Sequence, residues 1–223
     1  MPPNNIIMRK IILSIFLTLI AFHSQAQHYK VSSLSELQSA INNAKKGDTI
    51  LLASGKYKNG GIVSFTKDDI TVMAERSGSV ILTGNTAFKI TASHSTLSGM
   101  QFIDGEVDGE KGKVVEVLGN YNQITQCNFS NVTSHNYIHI EADAHDNVIS
   151  YCNLERKPAV HNAGPGIQIN TSENTVSRTL ITHCSFLDFD GEGGDFGNEP
   201  IRIGLGKEPN SHLPYLSSPT LHL

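Results

Sequence analysis

A run of acidic residues near the end of the 223-residue chain is the first feature that could support chemistry. Its carboxylates belong to Asp188, Asp190, Glu192 and Asp195. Glycosidases pair a carboxylic acid, which protonates the leaving oxygen, with a second carboxylate, so this run would suit hydrolysis of a polysaccharide. Three interspersed glycines favour a solvated loop instead.

A second polar stretch offers oxygen ligands. It contains Glu141, Asp143, His145 and Asp146, and such donors suit a hard cation such as calcium. A plain surface turn is the alternative interpretation. Four histidines elsewhere (His135, His139, His161 and His183) suggest zinc, but no cysteine or carboxylate accompanies them at a recognised zinc-ligand spacing.

The charge balance limits the partners. The formal net charge is −4, so no overall positive field attracts nucleic acid or an anionic membrane. An anionic ligand must therefore be met by a local cationic site. The adjacent pair Arg156-Lys157 would either contact an acidic sugar or be exposed charge.

The first 26 residues are predicted to be a signal peptide. Arg9-Lys10 precedes a mostly apolar run from Ile11 to Phe22, and small residues lead to Ala26, after which we expect cleavage. The apolar run is too short to span a bilayer, which needs about 20 residues. The mature protein is therefore expected to be secreted or periplasmic.

A short helix is predicted to open the mature chain. Ser33 and Glu36 fit a capping box, and Leu34, Leu37 and Ile41 fall on one face at helical spacing. After Thr49 the pattern changes to short apolar runs separated by Gly, Asn, Asp and Ser, which indicates many short strands.

An internal repeat predicts how these strands are arranged. One template, with an apolar residue three positions before a Met or Cys and a Phe or Leu two positions after it, recurs around Met100, Cys127, Cys152 and Cys184. The intervals are 27 (100 to 127), 25 (127 to 152) and 32 (152 to 184). This period is expected when each turn of a parallel β-helix stacks equivalent inward side chains, and nothing in a β-sandwich requires it.

The repeat also assigns several side chains. The three cysteines are predicted to be stacked core thiols, and Asn122, Asn147 and Asn174 are candidates for asparagine ladders. The predicted helix would then cover the N-terminal end of the coil, whose open strand edges would otherwise invite aggregation.

Three motifs together resemble a known family. They are the stretch from Gly47 to Tyr57, the Asn-x-Ile-x-x-Cys-x-Phe/Leu rungs and Ile201-Arg202-Ile203-Gly204. Between Val31 and about Gly206 the chain resembles polysaccharide lyase family 6, the alginate lyase and chondroitinase B group. The resemblance implies a right-handed parallel β-helix that is secreted and cleaves uronate-containing polysaccharide by β-elimination. It also implies a calcium ion that neutralises the uronate carboxylate, a Lys base and an assisting Arg.

Carried over residue by residue, the resemblance implies few site residues. Asn198 is the nearest match to the family's calcium-binding Asn, with Asp195 as a substitute, and Arg202 and Lys207 are the candidate substrate-binding cations. The pair of Glu and the Lys that the family carries on later turns are not found after Gly206.

The repeat and the family resemblance together predict how the chain is divided and leave two hypotheses about its function. The β-helix is expected over residues 27–206, with an irregular tail over 207–223, and the chain as given is expected to be an incomplete, inactive portion whose open coil end self-associates. The first hypothesis is a lyase of alginate, polymannuronate or dermatan and chondroitin. The second is a non-catalytic β-helix that binds surface polysaccharide or mediates adhesion.

Overall fold

A computed structural model describes residues 26–108, 111–158, 164–172, 176–189 and 199–204. The predicted signal peptide, apart from Ala26, and the predicted tail after Gly206 lie outside these ranges. In the described part the chain forms one helix, α1 (Leu34–Asn43), and short strands throughout. In chain order the strands are β1 (His28–Val31), β2 (Thr49–Leu52), β3 (Gly55–Lys58), β4 (Ile62–Phe65), β5 (Thr71–Ala74), β6 (Val80–Gly84), β7 (Ala87–Ile90), β8 (Thr96–Ser98), β9 (Met100–Glu106), β10 (Lys113–Val117), β11 (Gln123–Thr125), β12 (Asn128–Thr133), β13 (Asn136–Ile140), β14 (Val148–Ser150), β15 (Asn153–Lys157), β16 (Ile167–Asn170), β17 (Leu180–Thr182), β18 (Ser185–Phe189) and β19 (Ile201–Gly204).

The strands form three parallel sheets wound into a β-solenoid, as the repeat predicts. Sheet A has the order β1-β2-β5-β8-β11-β14-β17, sheet B has β3-β6-β9-β12-β15-β18, and sheet C has β4-β7-β10-β13-β16-β19. Each strand between the two edges of a sheet therefore pairs with its counterpart one turn earlier and one turn later. Because side chains alternate across a strand, every turn contributes one set of residues to the interior and one to the surface.

The interior is built from in-register columns of apolar side chains. Sheet A contributes Leu97, Ile124 and Ile149 as one such column, all at most 2% exposed. Aromatic rings stack in the same way, and the Phe102 and Phe129 ring centroids lie 4.9 Å apart with nearly parallel planes. Equivalent residues on successive turns thus touch each other, which explains why the sequence repeats.

The predicted cysteine column is present. Register pairs Asn128 with Gln101 and with Asn153, so the residues directly before these three, Met100, Cys127 and Cys152, also align. Both of these cysteines are at most 1% exposed, whereas Cys184, one turn further, is partly buried against the same core.

The asparagine ladder is confirmed for two of its three predicted members. The Oδ1 atom of Asn122 accepts from the Ser95 amide at 2.9 Å, and Oδ1 of Asn147 accepts from the Asn122 amide at 2.8 Å. Each side chain thus satisfies the backbone of the preceding turn at a buried corner. Asn174 lies outside the described residues.

Helix α1 caps the first turn, as predicted. The Ser33 hydroxyl accepts from the Glu36 amide, the Glu36 carboxylate accepts from the Ser32 amide at 2.8 Å, and Leu37 and Ile41 are fully buried. Gln38 also pairs with the edge strand β4: its side chain donates to the Ser64 carbonyl at 3.0 Å and accepts from the Ser64 amide at 2.7 Å. One glutamine amide therefore replaces the missing neighbouring strand at this position.

Within the described ranges no helix is long and apolar enough to cross a bilayer.

Candidate functional site

Arg202 lies on β19, the last described strand of sheet C. Its neighbours in the strand, Ile201 and Ile203, are in register with the buried Ile167 and Ile169, and Ile201 packs against the core, so Arg202 faces outward. The side chain is 26% exposed, and its guanidinium group donates a hydrogen bond to the Glu199 carboxylate. A cation is therefore held at the surface of the coil.

Arg202 ends a polar column on the outer face of sheet C. Strand register aligns it with Gln168, His139, Glu116, Lys89 and Ser64 in that order, one residue per turn. At about 4.8 Å per strand, Lys89 and Arg202 are about 19 Å apart. We call this row the outer column of sheet C.

Two lysines and two glutamates form an ion-pair cluster around the first half of this column. Lys89 Nζ lies 2.9 Å from one oxygen of Glu116, and Lys113 Nζ lies 2.5 Å from the other. Lys113 Nζ also lies 3.2 Å from the Glu141 carboxylate. Burial opposes ionisation of Glu116, but the hydrogen bonds from Lys113 and Lys89 outweigh it and lower its pKa. For Lys113, too, burial is outweighed by its carboxylate partners, so its pKa is raised. Both groups are charged at neutral pH.

His139 and Gln168 are the buried members of the column. The Nδ1 atom of His139 lies 3.0 Å from Oδ1 of Asn136, whose amide nitrogen donates to the Pro165 carbonyl, so His139 carries its proton on Nδ1. Nε2 then accepts from the Asn170 amide at 3.1 Å. Burial, followed by the nearby Lys113 charge, lowers the pKa of His139 to about 4. His139 is therefore uncharged at neutral pH and is not a cation for substrate.

The other residues predicted from the resemblance cannot be placed on this face. Asp195, Asn198 and Lys207 lie outside the described residues, as do most of the acidic run and His161. Arg202 is thus the predicted site residue whose position the structure gives.

The polar stretch from Glu141 to Asp146 does not converge on one point. Glu141 faces Lys113 on sheet C, Asp143 accepts from the Ser172 hydroxyl at 3.2 Å, and Asp146 pairs with Arg178. In the part of the chain that the structure describes, no three His, Cys, Asp or Glu side chains are grouped so that they could hold a metal ion.

The interpretation of Lys157 as exposed charge is wrong. Its side chain is fully buried, its Nζ donates to the Ser134 carbonyl at 3.0 Å, and it lies 5.7 Å from the centre of the Tyr137 ring. Arg156, by contrast, points outward and donates to the Ser130 hydroxyl. The backbone reaches the left-handed region at Arg156 (φ 47°), which changes the alternation so that the next residue turns inward.

Sequence reasoning missed Lys89, Lys113 and Glu116. Lys89 and Glu116 stand at the outward positions of their strands, in register with Arg202, so their positions within the repeat indicate that they share a face with it. This relationship becomes visible only when the strands of sheet C are aligned, because the loops between them differ in length.

The three parallel sheets define the chain as a parallel β-helix protein, and comparison of the sequence gives the family. The family model of chondroitinase B matches residues 31–212, more than half of the chain. The chain belongs to the chondroitinase B family. Among curated protein sequences none matches significantly.

Solved structures share the fold. A PL6 alginate lyase in complex with a trisaccharide superposes with a TM-score of 0.66 at 22% identity, covering 81% of this chain and 42% of its own. A mannuronic acid specific family 6 lyase from human gut microbiota gives 0.67 at 20% identity, covering 80% and 44%. The family 6 lyase Pedsa3628 from Pseudopedobacter saltans gives 0.59 at 22% identity, covering 79% and 51%. The chain thus spans about half of each relative's length or less, and it has the fold of the polysaccharide lyases of family 6.

Proposed function

We propose that this chain is an exported, lyase-type β-helix that binds uronate-containing polysaccharide along the outer face of sheet C. The observation that carries the proposal is the position of Arg202 within a chain of the chondroitinase B family. The related structures include an alginate lyase and a mannuronic acid specific lyase, which supports polymannuronate and alginate as the first polymers to test.

The chemistry of β-elimination explains what such a face must provide. The proton next to a uronate carboxylate is only weakly acidic until cations stabilise the developing negative charge, and a base must lie within hydrogen-bonding reach of it. Arg202 offers a fixed cation, and Lys207 follows in sequence. Asp195 and Asn198 offer oxygen donors of the kind that calcium prefers, and a calcium ion bound there would neutralise the substrate carboxylate.

We expect the chain as given to bind acidic polysaccharide without cleaving it. The mature sequence carries Arg202 and Lys207, but the pair of Glu and the Lys that the family resemblance calls for on later turns is not found after Gly206. Binding needs only the cationic face, whereas elimination needs the complete set.

Affinity electrophoresis in gels that contain polymannuronate or a neutral glucan tests binding, and absorbance of the unsaturated uronate product tests cleavage. We expect retardation by polymannuronate only, weaker retardation of Arg202→Met, and no rise in absorbance. Arg76→Met is the matched control, because Arg76 lies at a distant corner where it donates to the Ser54 hydroxyl.

Equal retardation by both polymers would contradict the proposal and favour the adhesion hypothesis. A rise in absorbance would contradict the expected inactivity while supporting the lyase assignment. A change in retardation on addition of a calcium chelator would support the calcium proposal.

A further inference from the structure

We propose that Lys89 and Lys113 form a carboxylate-binding subsite for the acidic polysaccharide, and that Glu116 fills this subsite when no ligand is present. The inference rests on the proposed function and assigns a second contact to the same face, three to four turns from Arg202 along the outer column. Glu116 would then be a specificity-determining residue, because a uronate must replace its carboxylate.

The geometry is that of a carboxylate clamp. Each Glu116 oxygen receives a different ammonium group, Lys89 at 2.9 Å and Lys113 at 2.5 Å. The two lysines come from neighbouring strands, β7 and β10, so the strand register fixes their spacing independently of Glu116. A uronate carboxylate has the same shape and charge as the Glu116 carboxylate and would make the same two contacts.

The clamp is accessible from solvent. The Lys89 side chain is 40% exposed and that of Lys113 is 26% exposed, whereas Glu116 lies deeper at 16%. The cations are thus nearer to the surface than the anion between them. A polymer that approaches this part of sheet C from solvent would meet the lysines first.

Lys113 is held in place without Glu116. Its Nζ also contacts the Glu141 carboxylate at 3.2 Å, and Glu141 is itself close to Nε2 of His139 at 3.4 Å. When the Glu116 side chain turns away, the contact with Glu141 alone still orients Lys113 toward the outer column. The four charged groups cancel, so the cluster attracts polyanions only weakly while Glu116 stays paired.

Glu116→Gln tests the inference, because the amide keeps the shape of the side chain and removes the competing charge. We expect this variant to bind polymannuronate about threefold to tenfold more tightly than the wild type at low salt, with the gain lost at high salt. Glu75→Gln is the matched control: it also removes one anion, from an ion pair with Lys30 on another part of the coil. Adding Lys113→Gln to Glu116→Gln should abolish the gain.

The outcomes separate the two proposals. If polymannuronate binds the wild type and Arg202→Met weakens it, while Glu116→Gln behaves like Glu75→Gln, the inference is wrong and the proposed function stands. If neither the wild type nor Glu116→Gln prefers polymannuronate to the neutral glucan, both are wrong. If Glu116→Gln prefers polymannuronate to the neutral glucan and the wild type does not, the subsite is supported and the function proposed for the wild type is contradicted. Should Glu116→Gln fail to fold, Lys89→Gln must weaken binding relative to Arg76→Met for the inference to survive.

Discussion

The backbone amide of Gln27 donates a hydrogen bond of 2.9 Å to Oδ1 of Asp48, a residue that is only 1% exposed. The other oxygen of Asp48 accepts from the Lys45 amide at 2.8 Å. Hydrogen bonding from Lys45 lowers the pKa of Asp48 against the effect of burial, and Gln27 contributes in the same direction. Asp48 is thus an anion that accepts from two backbone amides, one of them at the predicted cleavage point.

Cleavage after Ala26 would convert this amide into an ammonium group. We predict that a chain beginning at Gln27 with a free amine is more stable than one beginning at Ala26, by about 1 kcal/mol, because a charged donor forms a stronger hydrogen bond to a carboxylate. Urea unfolding of both chains measures the difference, and mass spectrometry verifies the free amine. Asp48→Asn in both backgrounds is the control, and a difference that persists in the Asn variants would contradict this explanation.

We predict that Gln38 stabilises the folded protein more than its position on the surface of a helix suggests. Gln38→Met removes both hydrogen bonds to Ser64 and leaves the edge of β4 without a partner there. We expect a loss of about 1–2 kcal/mol in the free energy of unfolding. Gln123→Met on the exposed face of β11 is the matched control. Equal stability of the two variants would show that water replaces the glutamine amide at no cost.

His139 predicts a dependence of stability on pH. Its pKa of about 4 in the folded protein lies below the ordinary value of 6.5, so between these values the unfolded chain binds more protons. Stability should therefore be complete above pH 6.5 and fall as the pH drops toward 4. Urea unfolding gives the free energy of unfolding at pH 7 and at pH 5. The difference between these two values should be smaller by about 1–2 kcal/mol in His139→Gln than in the wild type.

The three thiols should react with a bulky reagent in a fixed order. The pKa of Cys152 is raised to about 12, mainly by hydrogen bonding with Cys127. The pKa of Cys184 is also raised, by its hydrogen bond with Cys152 and by burial. Cys184 is partly exposed, so it should react first but slowly, and Cys127 and Cys152 should react only on unfolding. Peptide mapping after timed labelling shows the order. Early modification of Cys127 would contradict the interior column.

The sequence contained enough information for the coil but not for its surface. Cys127 and Cys152 could be assigned to one interior column because the interior of every turn needs the same kind of side chain. The pairing of Lys89 with Glu116 could not be predicted, since it depends on how the 26 intervening residues fold. The burial of Lys157 could not be predicted for a related reason. A single residue with a left-handed backbone, Arg156, reverses the alternation of inward and outward side chains.

The parallel pairing has a consequence for the order in which the protein acquires its structure. Thr71 pairs with Thr49, and Gln123 pairs with Thr96, so a strand finds its neighbour in chain that has already emerged. A ribosome or an export channel delivers the N-terminal segment first, with α1 and the edge that Gln38 covers. Each completed turn then serves as the template for the next one, so structure can grow vectorially and need not wait for the far end of the chain.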